Sequence, residues 1–217
     1  MIVSGRRRPS PLAGLDTTDI STMAIDVIEE PVTALAEYGG IPIVFEVSEI
    51  FDVIAEADGG VRLEARPVPV PYVKDYDAVA DNPMRWAERF DLLKWGFFSA
   101  SRGAQCVGRA AVARDTSTLD MLEGRSDLAL LWDIRVAPKA RRRGVGSALF
   151  DAAVTWARSR RCLQLKVETQ NINVAACRFY AKQGCKLRAV HSGAYPKFPA
   201  EVQLLWFKDL LPWTEAG

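Results

Sequence analysis

The chain has 217 residues, of which 49% are hydrophobic and 25% charged, and its 28 lysines and arginines nearly balance its 27 aspartates and glutamates. This composition is typical of one globular domain with a sizeable core, and the net charge gives no reason to expect a nucleic-acid partner. Because there is no long apolar run and no signal-peptide pattern at the N-terminus, we expect no membrane attachment.

The cysteines and the single histidine argue against metal chemistry and against a histidine-dependent triad. Cys106, Cys162, Cys177 and Cys185 form no CxxC pair, and His191 is the one histidine. We therefore expect no bound metal and reduced thiols in a cytoplasm.

The first residues are predicted to lie outside the folded domain. Residues 1–27, which carry three consecutive arginines and then two prolines, are expected to form a disordered N-terminal arm. A basic arm that contacts a partner is the alternative. Residues 28–217 are expected to fold as a single domain. Residues 29–38 are predicted to form a short helix that ends at Gly39-Gly40.

A hairpin is predicted next. Residues 41–54 have the β-branched and aromatic content of a strand, and a turn at Asp58-Gly59-Gly60 leads to a partner strand at residues 61–66. An extended connection follows, because it contains Pro67, Pro69 and Pro71. From Pro83 to about residue 90 the apolar spacing predicts a helix.

The remaining segments alternate between strand and helix patterns. Residues 94–100 and 106–113 predict a β-hairpin, and residues 128–136 predict a strand that is buried on both faces. The pattern continues as a helix at 147–161, a strand at 163–168, a helix at 174–182 ended by Gly184, and strands at 187–191 and 201–207.

The turn Arg141-Arg142-Arg143-Gly144-Val145-Gly146 joins a predicted strand to a predicted helix. The first N–H groups of a helix have no intrahelical acceptor and lie at the positive end of its dipole, so the turn favours a phosphate or pyrophosphate. It is neither a dinucleotide fingerprint nor a Walker motif. A solvated basic turn is the alternative.

Two motifs resemble the GNAT superfamily of N-acetyltransferases. Arg141-x-x-Gly144-x-Gly146 is similar to the Arg/Gln-x-x-Gly-x-Gly/Ala signature. Asn173-x-x-Ala176-x-x-Phe179-Tyr180-x-x-x-Gly184 is similar to the second conserved block, in which Cys185 stands where the family usually has phenylalanine. More narrowly, Glu168-Thr169-Gln170-Asn171-x-Asn173 and Pro71-Tyr72-Val73-Lys74-Asp75-Tyr76 resemble the streptothricin acetyltransferases.

The resemblance implies an α/β (α+β) fold with a mostly antiparallel central sheet. Its two central strands would be parallel and splayed, and helices would flank the sheet. It also implies acetyl-CoA as co-substrate and direct acetyl transfer to a primary amine. The absence of an evident activated cysteine or serine favours direct transfer over a covalent route.

The resemblance also assigns the cofactor-binding residues. The pantetheine arm would run along the edge of the strand at Ile134, Arg135 and Val136, and Asn173 would bond to it. An N-cap role for Asn173 is the alternative. The pyrophosphate would lie on the glycine-bearing turn, formed by Arg141, Arg142, Arg143, Gly144, Val145, Gly146 and Ser147.

Tyr180 is assigned as the general acid and Asp133 as the candidate base or holder of the cationic substrate. Glu168 is a second candidate base, and Tyr195 is a candidate wall of the acceptor pocket. The alternatives are a packed aromatic side chain for Tyr180, a backbone hydrogen bond for Asp133 and a loop anchor for Tyr195. An acidic wall for a cationic amine is predicted from Asp75, Asp77, Asp81, Glu88 and Asp91.

The predicted partner is a small-molecule amine, most specifically the β-lysyl amine of streptothricin. A peptide or protein N-terminal amine and an aminoglycoside are the alternatives within the same class of enzyme. A non-catalytic acyl-CoA-binding module is an alternative of another class. A nucleic-acid interaction has only the basic run at residues 139–143 in its support. We expect a monomer or a homodimer.

Overall fold

A computed structural model describes residues 23–57, 59–78 and 82–210 of the chain. Residues 1–22 of the predicted arm, Asp58 of the predicted turn and Asp81 of the predicted acidic wall lie outside this part. The described strands are β1 Ile25–Glu30, β2 Val44–Ala55, β3 Val61–Asp75, β4 Gly96–Arg102, β5 Gln105–Arg114, β6 Leu128–Val136, β7 Gln164–Gln170, β8 Lys186–Ser192 and β9 Val202–Asp209. The described α-helices are α1 Leu35–Tyr38, α2 Trp86–Arg89, α3 Val145–Ser159 and α4 Val174–Lys182.

The central sheet has seven strands in the order β1-β4-β5-β6-β7-β9-β8. Every neighbouring pair is antiparallel except β6 and β7, which are parallel. The predicted fold class, a mostly antiparallel sheet with one parallel central pair and flanking helices, is confirmed.

The parallel pair separates towards its carboxyl end. Leu128 to Leu131 of β6 pair with Gln164 to Val167 of β7, after which β6 continues to Val136 and β7 to Gln170 without pairing with each other. The gap between these unpaired ends is called the splay below. Within it, strand backbone is left open for another extended chain.

The sheet separates two hydrophobic cores. On one face, α3 and α4 place Leu149, Phe150 and Tyr180 with sheet residues such as Leu131 and Val167. On the other face, α1 and α2 bring Leu35, Tyr38 and Trp86 together with Leu128 and Leu130. The two sides are called the α3/α4 face and the α1/α2 face. Since β6 is covered on both, its sequence is nearly continuously apolar.

A β-bulge in β6 aims two consecutive side chains at the same face. Ala111 of β5 pairs with Asp133 and Val112 pairs with Leu131, so Trp132 is the extra residue. Trp132 packs with the aromatic cluster of the α1/α2 face, and Asp133 receives a hydrogen bond from Tyr38 on that same face. The bulge therefore directs a carboxylate to the α1/α2 face beside the splay.

Strands β2 and β3 form a separate antiparallel ribbon. The predicted partner strand is longer than expected, because pairing resumes beyond the prolines: Val47 pairs with Tyr72 and Glu49 with Pro67. Residues 68–71 form the irregularity between these pairs. Proline keeps the chain extended and supplies no N–H to a ladder, which explains an interruption that does not end the strand.

The prediction for the N-terminal region was partly wrong. β1 begins at Ile25, so residues 25–27 belong to the sheet and not to the arm. Of the predicted helix at residues 29–38, the first two residues belong to β1, and after Pro31 a 3-10 turn at Val32–Ala34 continues into α1. The segment before Pro31 contains the β-branched Ile25, Val27 and Ile28 and pairs with β4 as an edge strand, which favours a strand over a helix. None of the helices in the described part of the chain is long and apolar enough to cross a membrane.

Candidate active site

The turn before α3 presents free backbone N–H groups. Gly144 caps the helix in the left-handed conformation (φ 87°), without a side-chain hydrogen bond, and Arg142 is also left-handed (φ 60°). The first hydrogen bond of the helical ladder runs from the Ala148 N–H to the Gly144 carbonyl. Within the described chain, the N–H groups of residues 142–147 donate to no backbone or side-chain acceptor. With the helix dipole they form a site suited to an anion.

The arginines of this turn have different orientations. The Arg141 guanidinium turns inward and donates to the carbonyls of Val136 (3.1 Å) and Val44 (2.7 Å), and burial lowers its pKa. Arg142 and Arg143 are exposed. The buried Arg102 of β4 supports the turn by donating to the Arg143 carbonyl at 2.7 Å. Arg141 thus joins the turn to the β2–β3 ribbon, while Arg142 and Arg143 remain available to an anion.

The free edge of β6 lies next to this turn. The Ala137 N–H donates to the Val107 carbonyl of β5 at 2.9 Å. Because backbone groups alternate along a strand, those of Ile134 and Val136 point to the other edge, into the splay. Arg135 has the opposite orientation, and its side chain lies buried on the α1/α2 face.

Helix α4 places Asn173 and Tyr180 on the α3/α4 side of the splay. Asn173 caps the helix, since its Oδ1 accepts the Ala176 N–H at 3.1 Å, and its side-chain amide nitrogen has no described partner. Tyr180 is buried against Phe150 and Phe179, and no hydrogen bond to its hydroxyl occurs among the described residues. Burial raises the pKa of Tyr180, so its hydroxyl stays protonated.

Asp133 lies across the splay, on the α1/α2 face. It receives hydrogen bonds from the Tyr38 hydroxyl (3.2 Å) and from Arg135 Nε (3.0 and 3.1 Å). Its side chain is 8% exposed. Burial raises the pKa of Asp133, and the charge of Arg135 opposes this shift. The negative charge of Asp133 contributes to the raised pKa of Tyr180, which is consistent with their flanking one space.

Glu168 is a partly buried carboxylate held by neutral groups. The Tyr195 hydroxyl donates to its Oε1 at 2.5 Å, and Gln203 Nε2 donates to its Oε2 at 2.9 Å. Gln170 donates to the same tyrosine hydroxyl at 3.0 Å. No described lysine or arginine pairs with Glu168, whereas Asp133 pairs with Arg135 and Glu201 pairs with Lys74. Glu168 therefore carries a negative charge that no described protein cation neutralises.

The described members of the predicted acidic wall each have a local partner. Asp77 pairs with Arg135 and accepts the Ile43 N–H, and Asp75 accepts the Asp77 N–H. Glu88 pairs with Arg85, and Asp91 caps the short 3-10 turn that follows it. These carboxylates satisfy local donors, and a common acidic wall stays a prediction.

The buried thiols are unsuited to nucleophilic attack. Burial raises the pKa of Cys177 to about 11 and that of Cys185 to about 11. A thiol attacks as its thiolate, which is scarce at such pKa values. This is consistent with direct transfer.

Several residues of the site escaped the sequence analysis. Tyr38 comes from the region predicted to be a helix. Glu201 immediately precedes β9 and Gln203 belongs to it, and neither is part of a motif. Lys74 and Tyr76 lie in the block that resembles streptothricin acetyltransferases. The resemblance pointed to this block but assigned no role to either residue. Their contacts with Glu201 join parts of the chain that are more than 100 residues apart.

Comparison with known proteins supports the same class. The model of the Acetyltransferase (GNAT) family matches residues 67–185. Streptothricin acetyltransferase A of Bacillus subtilis (strain 168) is 42% identical over 139 residues, 63% of this chain and 73% of that protein. A streptothricin acetyltransferase of Escherichia coli is 31% identical over 166 residues, 75% of this chain and 84% of that protein.

Solved structures share the fold. The crystal structure of nourseothricin acetyltransferase has a TM-score of 0.68 at 23% identity, covering 86% of this chain and 99% of that chain. A proposed streptothricin acetyltransferase from Bacillus anthracis str. Ames, in complex with acetyl coenzyme A, has a TM-score of 0.67 at 24% identity, covering 86% and 98%. The chain belongs to the GNAT family of acetyltransferases, and its class of activity is acetyl-CoA-dependent N-acetylation.

Proposed function

We propose that the chain acetylates a primary amine of streptothricin and thereby confers resistance to that antibiotic. The observation that carries the proposal is Glu168, a partly buried carboxylate beside the splay with neutral donors and no described cation partner. An ammonium group is the ligand that such a site favours. The names of the two curated relatives support streptothricin as the molecule that carries it.

The cofactor and the amine would approach from opposite faces of the sheet. The free N–H groups at residues 142–147, with Arg142 and Arg143, would hold the pyrophosphate of acetyl-CoA on the α3/α4 face. The open edge at Ile134 and Val136, together with the free amide nitrogen of Asn173, would pair with the pantetheine arm. Acetyl-CoA supplies an activated acyl thioester. Its carbonyl would be met in the splay by an amine from the α1/α2 face, in a ternary complex.

Tyr180 would stabilise the leaving thiolate. A phenol has an ordinary pKa near 10 and a thiol one near 8.5, and burial makes Tyr180 a still weaker acid. Complete proton transfer from this hydroxyl is therefore uphill. Its contribution is a hydrogen bond to the negative charge that develops on sulfur, in a site where such a bond is strengthened by low dielectric.

Asp133 would accept the proton that the attacking amine releases, directly or through a water. Its raised pKa makes it a better base than an ordinary aspartate, although ammonium pKa values near 10 still disfavour the transfer. Glu168 and Tyr195 would hold the amine, and the Val136 N–H would face the thioester oxygen. We also propose that the enzyme is cytoplasmic, because its four cysteines are free thiols.

A panel of acceptors tests this function. Streptothricin, an aminoglycoside and a peptide with a free N-terminus would be compared at equal concentration with saturating acetyl-CoA, and the products identified by mass spectrometry. We expect a single acetyl group on streptothricin and far slower turnover of the other two. Preferred acetylation of the peptide or the aminoglycoside would overturn the choice of substrate.

Glu168→Gln is expected to raise the acceptor KM about tenfold or more, because a charge-assisted hydrogen bond contributes about 1.5–3 kcal/mol. The KM for acetyl-CoA should stay unchanged, and steady-state kinetics with each substrate varied in turn measures both. Glu49→Gln is the matched control, since Glu49 is a carboxylate of the ribbon that pairs with the exposed Arg178. Equal effects of the two variants would remove Glu168 from the acceptor site.

Asp133→Asn is expected to lower kcat/KM by about 100-fold, within the range of a lost general base. The base must be deprotonated, so the wild-type rate should fall as pH drops through the raised pKa of Asp133. The variant should lose this acid limb, which a pH profile measures. Asp77→Asn is the control, because it also removes a carboxylate from Arg135. An equal loss of kcat/KM in Asp77→Asn would show that the effect comes from disturbing Arg135. It would refute the role of Asp133 as the base.

A further inference from the structure

We propose that Lys74 is a positioning residue, which holds the loop between β8 and β9 so that Tyr195 stays on Glu168. The expected effect of Lys74 on kinetics rests on the proposed function. The contacts that hold the loop do not depend on it. Lys74 belongs to β3 of the ribbon, and the β8–β9 loop comprises residues 193–201. The contact therefore joins two segments that are distant in the sequence.

The β8–β9 loop depends on three side chains for its position. Tyr195 and Phe198 are partly buried and Glu201 is buried, while the other residues of the loop are exposed. Two backbone bonds space these three residues evenly, from the Phe198 N–H to the Tyr195 carbonyl and from the Glu201 N–H to the Phe198 carbonyl, each 2.9 Å. The loop therefore contacts the rest of the protein mainly through the side chains of Tyr195, Phe198 and Glu201.

Lys74 contacts two of the three. Its ammonium is 2.5 Å from Glu201 Oε1 and 3.4 Å from the centroid of the Phe198 ring, and the residue is 8% exposed. Tyr76, two residues later on β3, donates to the other Glu201 oxygen at 3.1 Å. A buried ammonium is stable only when it is paired and hydrogen-bonded, so Lys74 fixes both Glu201 and Phe198 relative to the ribbon.

The third side chain transmits this position to the acceptor site. Tyr195 precedes Phe198 by one turn of the loop, and its hydroxyl donates to Glu168 at 2.5 Å. Loss of the Lys74 ammonium would leave Glu201 buried without its cation and would release the Phe198 ring. The loop would then move, Tyr195 would leave Glu168, and the carboxylate would lose one of its two donors. The phosphate turn and Tyr180 lie on the α3/α4 side and would be unaffected.

Lys74→Met tests the proposal, because methionine retains the length of the side chain without its charge. We expect the acceptor KM to rise about tenfold, which corresponds to the loss of roughly one hydrogen bond to a charged group, with an unchanged KM for acetyl-CoA. Lys74→Arg should restore part of the affinity. Hydrogen exchange of the amides in the β8–β9 loop should be faster in Lys74→Met than in the wild type.

Lys166→Met is the matched control. Lys166 is also buried, with 2% of the residue exposed, and pairs with Glu123 at 2.7 Å, but none of its described contacts is with the loop. A merely destabilised enzyme would lose kcat through its unfolded fraction and keep both KM values, which is the result expected for Lys166→Met. The same result for Lys74→Met, or unchanged exchange in the loop, would overturn the positioning role. If wild type fails to acetylate streptothricin, the proposed function fails, and the exchange experiment still decides the role of Lys74.

Discussion

Gly144→Val is expected to weaken acetyl-CoA binding by at least about 100-fold. The loss of two charge-assisted hydrogen bonds, at about 1.5–3 kcal/mol each, is sufficient for that effect. Gly144 has a φ of 87°, which a β-branched residue adopts only with strain. Relaxing this strain would rotate the N–H groups at residues 142–147 away from their common direction, and the added side chain would press on Ile25, because a Cβ at Gly144 would lie 3.4 Å from Ile25 Cδ1. Isothermal titration with acetyl-CoA measures the change.

Gly59→Val is the control for strain alone. Gly59 has nearly the same φ, 84°, and a side chain there would enter open space at the tip of the ribbon. Both variants should lose thermal stability by a similar amount, while only Gly144→Val loses the cofactor. Tight acetyl-CoA binding by Gly144→Val would remove the phosphate site from the turn before α3.

Tyr180→Phe is expected to lower kcat by about tenfold or more, towards the range of a lost acid catalyst, with little change in the Kd for acetyl-CoA. The hydroxyl has no described hydrogen-bond partner in the protein, so its removal leaves no polar group unsatisfied. Phenylalanine retains the ring contacts with Phe150 and Phe179. A fall in kcat therefore reports the hydroxyl and not the packing.

Two measurements accompany the Tyr180→Phe variant. Its melting temperature should match that of the wild type, and Tyr195→Phe, which removes a hydroxyl from the opposite face, should raise the acceptor KM instead of lowering kcat. Because burial raises the pKa of Tyr180, its ionisation should not limit the rate at ordinary alkaline pH. An unchanged kcat would show that Tyr180 is only a packed aromatic residue.

Much of the central sheet is predictable from local patterns. The bounds of β6 and α4 agree with the prediction, because β6 is a nearly continuous apolar run and α4 begins at an Asn N-cap and is followed by Gly184. The hairpin of β4 and β5 also agrees, since it has two apolar runs around a short polar turn. Each of these features depends on residues that are close in sequence.

Features that depend on register are not predictable in this way. A continuous apolar strand gives no sign of the bulge at Trp132, which determines the face on which Asp133 lies. The Arg141 motif predicts a phosphate turn, but only the fold shows that its own side chain binds carbonyls of β6 and β2. The sequence alone does not distinguish the acidic residues of the predicted wall from ligands of a cationic substrate. The hydrogen bonds that they accept from nearby donors are seen only in the structure.

The proposed separation of the cofactor and acceptor sites by the two faces of the sheet would have a physical consequence. The phosphate turn and Tyr180 belong to the α3/α4 side, while Asp133 and Glu168 lie on the α1/α2 side. Arg142 and Arg143 of the turn are exposed on the first side, and Glu168 on the second side has no described cation partner, so an anionic cofactor and a cationic amine would each be attracted to a different entrance. In the proposed reaction the two substrates meet only in the splay. Variants on one face should therefore leave the affinity for the substrate on the other face unchanged.

The most direct test is acetyl-CoA-dependent thiol release with streptothricin as acceptor, beside a matched reaction that lacks any acceptor. We predict fast release only when streptothricin is present, with one acetyl group transferred for each thiol released. Release at the acceptor-free rate, in enzyme shown to bind acetyl-CoA, would contradict the assignment of streptothricin as the amine that enters from the α1/α2 face.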